Sequence, residues 1–326
     1  MVKCSLVIRC YNEEQHIGRL LSGIMQQTLT DREIIIVDSG STDATVSIAS
    51  RYPVKIVSIR PEDFSFGRAL NLGCRAATGD IIVIASAHVY PLYKDWLENL
   101  LYPFQRPEVA LVYGRQRGNE ITKYSEHQVF AKWFPETPDP SQIHPFCNNA
   151  NAAIRRQVWE KLPYDETLTG LEDLDWAKRA QRLGYQIAYQ PEAEIVHVHE
   201  EPFSQIYNRY RREAIALKQT FPQESFRFRD FVRLFLANAV SDCYHARCDR
   251  LLKDNFADIL MFRLMQFWGT YQGFRQHGKI SSKLKQTFYY PNGLTRSRLS
   301  KITDNQEQRA IDYSTNPKEP EIARNH

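Results

Sequence analysis

Short unbroken apolar runs alternate along the chain with stretches in which apolar residues recur at helical spacing. The clearest run is Asp80-Ile-Ile-Val-Ile-Ala-Ser-Ala-His88. It follows a Thr78-Gly79 turn and ends in small polar residues, the pattern of a buried parallel strand. Similar runs predict strands over Ser5–Arg9, Glu33–Asp38, Val54–Ile59 and Val109–Gly114. Helices are predicted between them. One carries Ile17, Leu20, Leu21, Ile24 and Met25, with Asn12 as its cap. Others run from Ala44 to about Arg51, from Gly67 to Ala77 and from Trp96 to Leu101. Strand and helix in such short alternation imply an α/β fold with a mostly parallel sheet. Ligands bind beyond the carboxyl ends of such strands, so Ser86 and His88 are placed at the edge of a site.

The second half is less regular. Residues 115–147 carry Pro, His and aromatics without a clear period and read as a loop region. Asn151–Arg155 is a short strand. Thr169-Gly-Leu-Glu-Asp-Leu-Asp175 opens a helix over Trp176–Leu183, closed by Gly184. Tyr185–Tyr189 and Ile195–His199 are two further short strands. From Phe203 the chain turns helical, over Gln205–Gln219, Phe231–Asp242 and Phe256–Phe274. These helices are rich in Leu, Phe, Met, Trp and Arg. They pack on the sheet as a bundle, or lay an amphipathic face on a membrane surface. The expected division is a catalytic unit over 1–202, a helical region over 203–296 and a disordered polar tail over 297–326.

Composition narrows the function classes. With 42 basic and 38 acidic residues in 326, the net charge of +4 is too mild to argue for nucleic acid. Six scattered Cys without a CxxC pair suit a reducing, cytoplasmic setting. Cys243-Tyr-His-Ala-Arg-Cys248 is more readily helix packing than a metal site. The N-terminus lacks the pattern of a signal peptide, and no apolar run suggests a membrane span. No G-x-G-x-x-G follows the first strand and no Walker loop occurs, which disfavours dinucleotide or P-loop chemistry.

Five segments, in order, resemble the family-2 glycosyltransferases, which use the GT-A fold. They are Val7-Ile-Arg-Cys-Tyr-Asn-Glu13, Ile36-Val-Asp-Ser-Gly-Ser-Thr-Asp43, Phe66-Gly-Arg-Ala-Leu-Asn-Leu-Gly73 with Ala76-Ala-Thr-Gly-Asp80, Asn148-Asn-Ala-Asn-Ala-Ala-Ile-Arg-Arg156, and Glu172-Asp173. Gly114-Arg-Gln116 and the stretch from Asp63 to Gly73 look most like the rhamnosyltransferase-type branch. The resemblance spans roughly residues 1–200. It implies transfer of a sugar from a nucleotide-diphosphate donor to a glycan or lipid-linked acceptor, with inversion, at a cytoplasmic membrane face.

It also implies roles. Tyr11 borders the base with Glu13 nearby, Asp38 contacts base or ribose, and Arg68 and Asn71 line the nucleotide side. Asn149 and Trp176 face the acceptor. Asp173 takes the proton of the acceptor hydroxyl and Glu172 orients the acceptor. Asp175 only favours the helix N-terminus. Tyr11, Asn12 and Asp38 have a plainer reading as a turn and its caps.

The sequence departs from the family at the end of the fourth strand. The acidic pair that holds Mg²⁺ or Mn²⁺ is replaced by Ser86-Ala87-His88, a poor Mg²⁺ site. Two readings stay open. His88 contacts the diphosphate directly, helped by Arg209, Arg211 or Arg212. Alternatively, His88 shares a softer metal with His197 or His199, which alternation puts on one strand face. Nucleotidyl transfer fits less well, because Tyr11-Asn-Glu13 is the wrong first loop. A catalytically inactive sugar-nucleotide or glycan binder is the remaining alternative.

Overall fold

The computed structural model describes residues 4–278, 281–289 and 311. The tail expected from Ser297 falls outside them, Ile311 excepted. In chain order the elements are β1 (Cys4–Cys10), α1 (Ile17–Met25), β2 (Arg32–Asp38), α2 (Thr45–Ala49), β3 (Val54–Ser58), α3 (Phe66–Ala76), β4 (Ile81–Ser86), β5 (Val89–Pro91), α4 (Trp96–Leu101) and β6 (Val109–Arg117). They continue with α5 (Tyr124–Trp133), β7 (Asp139–Gln142), β8 (Asn151–Arg155), α6 (Arg156–Lys161), α7 (Glu172–Arg182), β9 (Gln186–His197), α8 (Phe203–Thr220), α9 (Phe228–Cys248), α10 (Leu252–Phe274) and α11 (Ser282–Tyr289).

The strands form one sheet in the order β3-β2-β1-β4-β8-β6-β9-β5, with β7 added beside β9. β3, β2, β1 and β4 are parallel. β8 runs against both β4 and β6, so the sheet is mixed rather than mostly parallel. The apolar run at β4 reads the same for either partner direction, because it is covered on both faces. Successive β1 residues alternate between two cores. Leu6 and Ile8 meet α1 through Ile17, Leu20, Leu21 and Ile24. Val7 meets α3 through Ala69, Leu70 and Cys74 on the other side. Full burial of each such aliphatic side chain contributes about 1.5–3 kcal/mol.

Three expectations change. Asn12 does not cap α1: that place belongs to His16, and Asn12 adopts a positive φ of 54°. Residues 115–147 are not a loop, since β6 runs on to Arg117 and α5 and β7 follow. The two short strands after Gly184 are one strand, β9, with His199 just beyond its end. Pro191 inside that stretch hid its continuity.

The C-terminal helices pack on the sheet domain. α10 presses on α8 where Gly269 and Gly273 leave room: a Cβ on either would lie 2.5 Å from a carbonyl oxygen, that of Tyr207 or Arg211. A buried ion pair, Arg263–Asp242, ties α10 to α9, and Ser125 of α5 donates its hydroxyl to the same carboxylate. The outer side of α9 is different. Phe228, Val232, Leu236, Val240 and Tyr244 are all exposed, one turn apart. No described helix is long and apolar enough to cross a membrane.

Candidate active site

A cleft of about 880 Å³ opens where β1 and β4 end and where α7 and α8 begin. Its walls come from the β1–α1 loop, the β4–β5 turn, the start of α7, the end of β9 and one side of α8. Of the residues expected here, Tyr11, Glu13, Ser86, His88, Asn149, Glu172, Asp173, His197 and His199 all line it.

Two loops that are distant in sequence are knitted together at one wall. Cys10 and Asp38 are register partners on adjacent parallel strands, so the loops that follow emerge side by side. The Asn12 side-chain oxygen accepts the Thr42 N–H at 2.8 Å, and the Asn12 backbone N–H donates to the Ser41 hydroxyl. Asn tolerates the left-handed backbone this requires. Asp38 accepts the Gly40 and Ser41 N–H groups, which shapes the turn. Its neighbours Cys10 and Ser39, rather than Asp38 itself, line the cleft.

The acidic pair is aimed by the backbone. Leu171, immediately before α7, holds φ 53°, a left-handed conformation costly for a residue with a Cβ. Glu172 and Asp173 then occupy the first helical turn and are nearly buried. Arg9, at the end of β1, pairs with Glu172 at 3.2 Å. Asp173 accepts N–H bonds from Asn149 at 3.0 Å and Leu174 at 2.8 Å. Burial, and then the neighbouring Glu172 charge, raise the Asp173 carboxyl from 3.8 to about 7. These two causes outweigh both hydrogen bonds and Arg9. The sign for function follows. A carboxyl acting as base works only when ionised, so kcat/KM should rise with pH through this titration. Glu172→Gln removes a like charge and leaves Arg9 unopposed. The acidic limb is then expected at lower pH than in the wild type. A limb that stays or moves upward would assign the base elsewhere.

The β4–β5 turn brings His88 to the end of β9, because Val89 pairs with His197 and the Val198 N–H bonds to the His88 carbonyl. The rings of His88 and His197 stack at 5.0 Å, and those of His197 and His199 lie 4.0 Å apart. His88 contacts Glu13 at 2.8 Å. Burial alone would lower its pKa, but the Glu13 charge and hydrogen bond prevail and the net direction is upward. His197 goes the other way: burial, then His199 and His88, push it far below its ordinary value, so it stays neutral. Its Nε2 is buried and has no hydrogen-bond partner among the described residues. An orphaned imidazole nitrogen beside two other histidines fits a cation that accepts nitrogen ligands. It does not fit Mg²⁺, which prefers oxygen.

Cationic side chains complete the cleft. Phe66 lies under two guanidinium groups, Arg9 and Arg212, each 4.8 Å from the ring centre. Among the described residues Arg212 has weak polar partners, the Phe288 carbonyl at 3.4 Å and Glu213 at 4.0 Å. Arg209 is committed to Glu126 at 2.7 Å and Glu201 at 2.8 Å. Arg211 lies outside the cleft and donates to Gln276.

Other expected residues have structural work instead. Arg68 is exposed and does not line the cleft. Asn71 is buried with both ends of its amide engaged, by Tyr164, Glu166 and Trp159. Trp176 is fully buried, and its indole donates to the Leu162 carbonyl. Cys243 and His245 stand two positions apart on α9, hence on different faces. Sequence reasoning missed Arg9, Phe66 and Glu126. A charge closing an apolar strand was the available signal for Arg9. Glu126 had none, because α5 itself was not recognised.

Comparison with known proteins agrees with this geometry. The model of Glycosyl transferase family 2 matches residues 5–162. The O-antigen chain rhamnosyltransferase RfbN of Salmonella typhimurium is 30% identical over 223 residues, 64% of this chain and 70% of that protein. The chain belongs to glycosyltransferase family 2. A second O-antigen chain rhamnosyltransferase, WbaN of Salmonella anatum, is 31% identical over 222 residues, with the same coverage of each chain. Both bear out the likeness to the rhamnosyltransferase-type branch of the family. Among solved structures, a mannosyltransferase from Pyrobaculum calidifontis in complex with GDP-Man and Mn²⁺ superposes with a TM-score of 0.56. It is 21% identical, with 89% of this chain and 88% of that one covered, and supports the GT-A fold.

Proposed function

We propose that this glycosyltransferase moves a sugar, with inversion, from a nucleoside-diphosphate donor to a hydroxyl of a growing cell-surface glycan. The observation that carries the reading is Asp173: a buried carboxyl with a raised pKa, in a cleft that Arg9, Arg209 and Arg212 also line. Asp173 takes the proton of the acceptor hydroxyl as its oxygen bonds to the anomeric carbon. The bond from that carbon to the donor phosphate oxygen breaks on the opposite face. The nucleoside diphosphate leaves with the electron pair.

Tyr11, with the loop that Asp38 anchors, frames the base. Arg212 meets the diphosphate, since its nearest carboxylate, Glu213, stands 4.0 Å away, beyond hydrogen-bond distance. Arg9 holds Glu172 in place beside the acceptor. His88, His197 and His199 would hold a divalent cation, whose chemistry when bound is to neutralise charge on the leaving diphosphate. The rhamnosyltransferase names of RfbN and WbaN support a deoxyhexosyl donor.

The test is calorimetric titration with UDP, GDP and dTDP. One nucleotide is expected to bind at least about tenfold tighter than the others, and Arg212→Ala to weaken it by about tenfold. Absence of binding by all three would favour the inactive glycan-binding alternative.

The acceptor side has a second support. Arg229, Arg233 and Arg247 share the exposed side of α9 with its apolar stripe, and the acid among them, Asp230, caps the helix start. A second copy of the chain would need exposed acids to face those arginines. An anionic bilayer supplies them as headgroups, and with them a lipid-linked acceptor. Sedimentation with vesicles containing anionic lipid is expected, and should be lost in Leu236→Glu with Val240→Glu. Equal sedimentation with neutral vesicles, or none with either, rejects this surface.

A further inference from the structure

We infer that His88, His197 and His199 form a three-imidazole centre built to select a transition-metal ion over Mg²⁺. The inference deepens the proposed sugar-transfer site and rests on it for the role of the ion, though not for its binding. One nitrogen from each histidine lies within 4.8 Å of the others. Two nitrogens on one ion, each roughly 2.1 Å from it, stand about 3–4 Å apart. The three nitrogens therefore stand within about 1–2 Å of the spacing that one ion requires.

The second observation is what surrounds each ring. His88 Nδ1 meets Glu13 at 2.8 Å, His197 Nδ1 meets Gln116 Oε1 at 2.8 Å, and His199 Nδ1 meets Glu126 at 2.7 Å. An oxygen acceptor on Nδ1 fixes the proton there and leaves the Nε2 lone pair for an ion. All three rings share this arrangement. Where the outcome is visible, at His197, Nε2 is buried and unpartnered. Three packed structural histidines would need no such uniform orientation.

Charge completes the case. Three neutral imidazoles bring no negative charge to the ion. The carboxylates sit one shell out, at Glu13, Glu126 and Glu201, opposed there by Arg209. That surplus of negative charge balances a dication without placing hard oxygen ligands on it. The ion thus keeps coordination positions free of protein carboxylates toward a donor diphosphate. Loss of carboxylates at the β4 end is, on this reading, a change of metal class and not a loss of metal. The other grouping of metal-binding side chains, Glu126, His199 and Glu201, shares His199 with the first, and both of its carboxylates are held by Arg209.

The test uses the full chain, stripped with chelator and dialysed, without any donor present. Zn²⁺, Co²⁺, Mn²⁺ and Mg²⁺ are titrated separately, and bound metal is counted by mass spectrometry. One equivalent of Zn²⁺ or Co²⁺ is expected, with affinity falling through Mn²⁺ to Mg²⁺ by at least about a hundredfold. Bound Co²⁺ should give the visible absorption of a nitrogen-rich, low-coordinate site. His88→Gln, at a partly exposed position, should cut Zn²⁺ affinity by at least about tenfold with unchanged circular dichroism. Gln116→Leu, which removes only an outer acceptor, should weaken it about 10–100-fold. Mg²⁺ binding as tightly as Zn²⁺, no stoichiometric binding, or unchanged affinity in both variants overturns the inference. Nucleotide titration in chelator reads the sugar-transfer proposal separately, so failure of one is distinguishable from failure of the other.

Discussion

Asp173→Asn is expected to lower turnover by about 10³-fold, within the range that a positioned general base contributes. Nucleoside diphosphate affinity should stay within about twofold. The asparagine keeps the shape of the side chain and one oxygen to accept the Asn149 N–H, which holds Asp173 at 3.0 Å in the native site. It lacks the lone pair of a carboxylate that can carry away a proton. Because Asp173 stands at the start of α7, while the proposal puts the nucleotide on the Tyr11 loop and Arg212, the donor should not sense the change. Joint loss of turnover and nucleotide binding would mean that Asp173 supports the donor, and the base would have to be sought elsewhere. Wild-type turnover would remove it from the chemistry altogether.

The largest stability effect is expected far from that carboxylate, at Asp242→Ala. Asp242 accepts two bonds from Arg263, at 2.7 and 2.9 Å, and one from the Ser125 hydroxyl at 2.6 Å. Both charged side chains are almost inaccessible, at 3% and 5% exposure. Truncating the acid strands a buried guanidinium, which costs about 3–5 kcal/mol. For a chain of this size that lowers the melting temperature by on the order of 10 °C. Replacing the partner as well, in Asp242→Ala with Arg263→Met, should recover much of the loss, because an apolar pair needs no solvation. A single variant that melts with the wild type would show that water reaches the guanidinium. The loss should also be felt in the cleft. Ser125 precedes Glu126, which holds His199 and Arg209.

The parts of this architecture legible in the sequence are those governed by short-range rules. β1, β2 and β4 each carry an unbroken apolar run because both faces are covered, and that pattern survives without knowledge of partners. The Asn12 and Asp38 loops were legible as turns, although only the β1–β2 register shows that they bond to each other. The cluster of His88, His197 and His199 was half legible. Alternation places the last two together, but only the β5–β9 pairing brings His88 to them. Asn71 and Trp176 were misassigned for the opposite reason. A polar or indole side chain within a functional motif looks like a ligand group until its partners are known, and here those partners are Tyr164, Trp159 and Leu162. Direction along the sheet was also hidden, since β8 carries no mark of running antiparallel. Leu171 gave no warning of its left-handed backbone, because nothing in its side chain favours it.

The glycines of α10 set the position of the cleft's cationic wall from behind. Gly269 and Gly273 let α10 lie directly on the backbone of α8 at Tyr207 and Arg211, and Arg209 and Arg212 project from that same stretch. A side chain at either glycine acts as a shim, lifting α8 relative to β1 and α7. The positions of Arg209 and Arg212 in the cleft can therefore drift through substitutions on a helix that does not line it, while every residue inside the cleft stays the same.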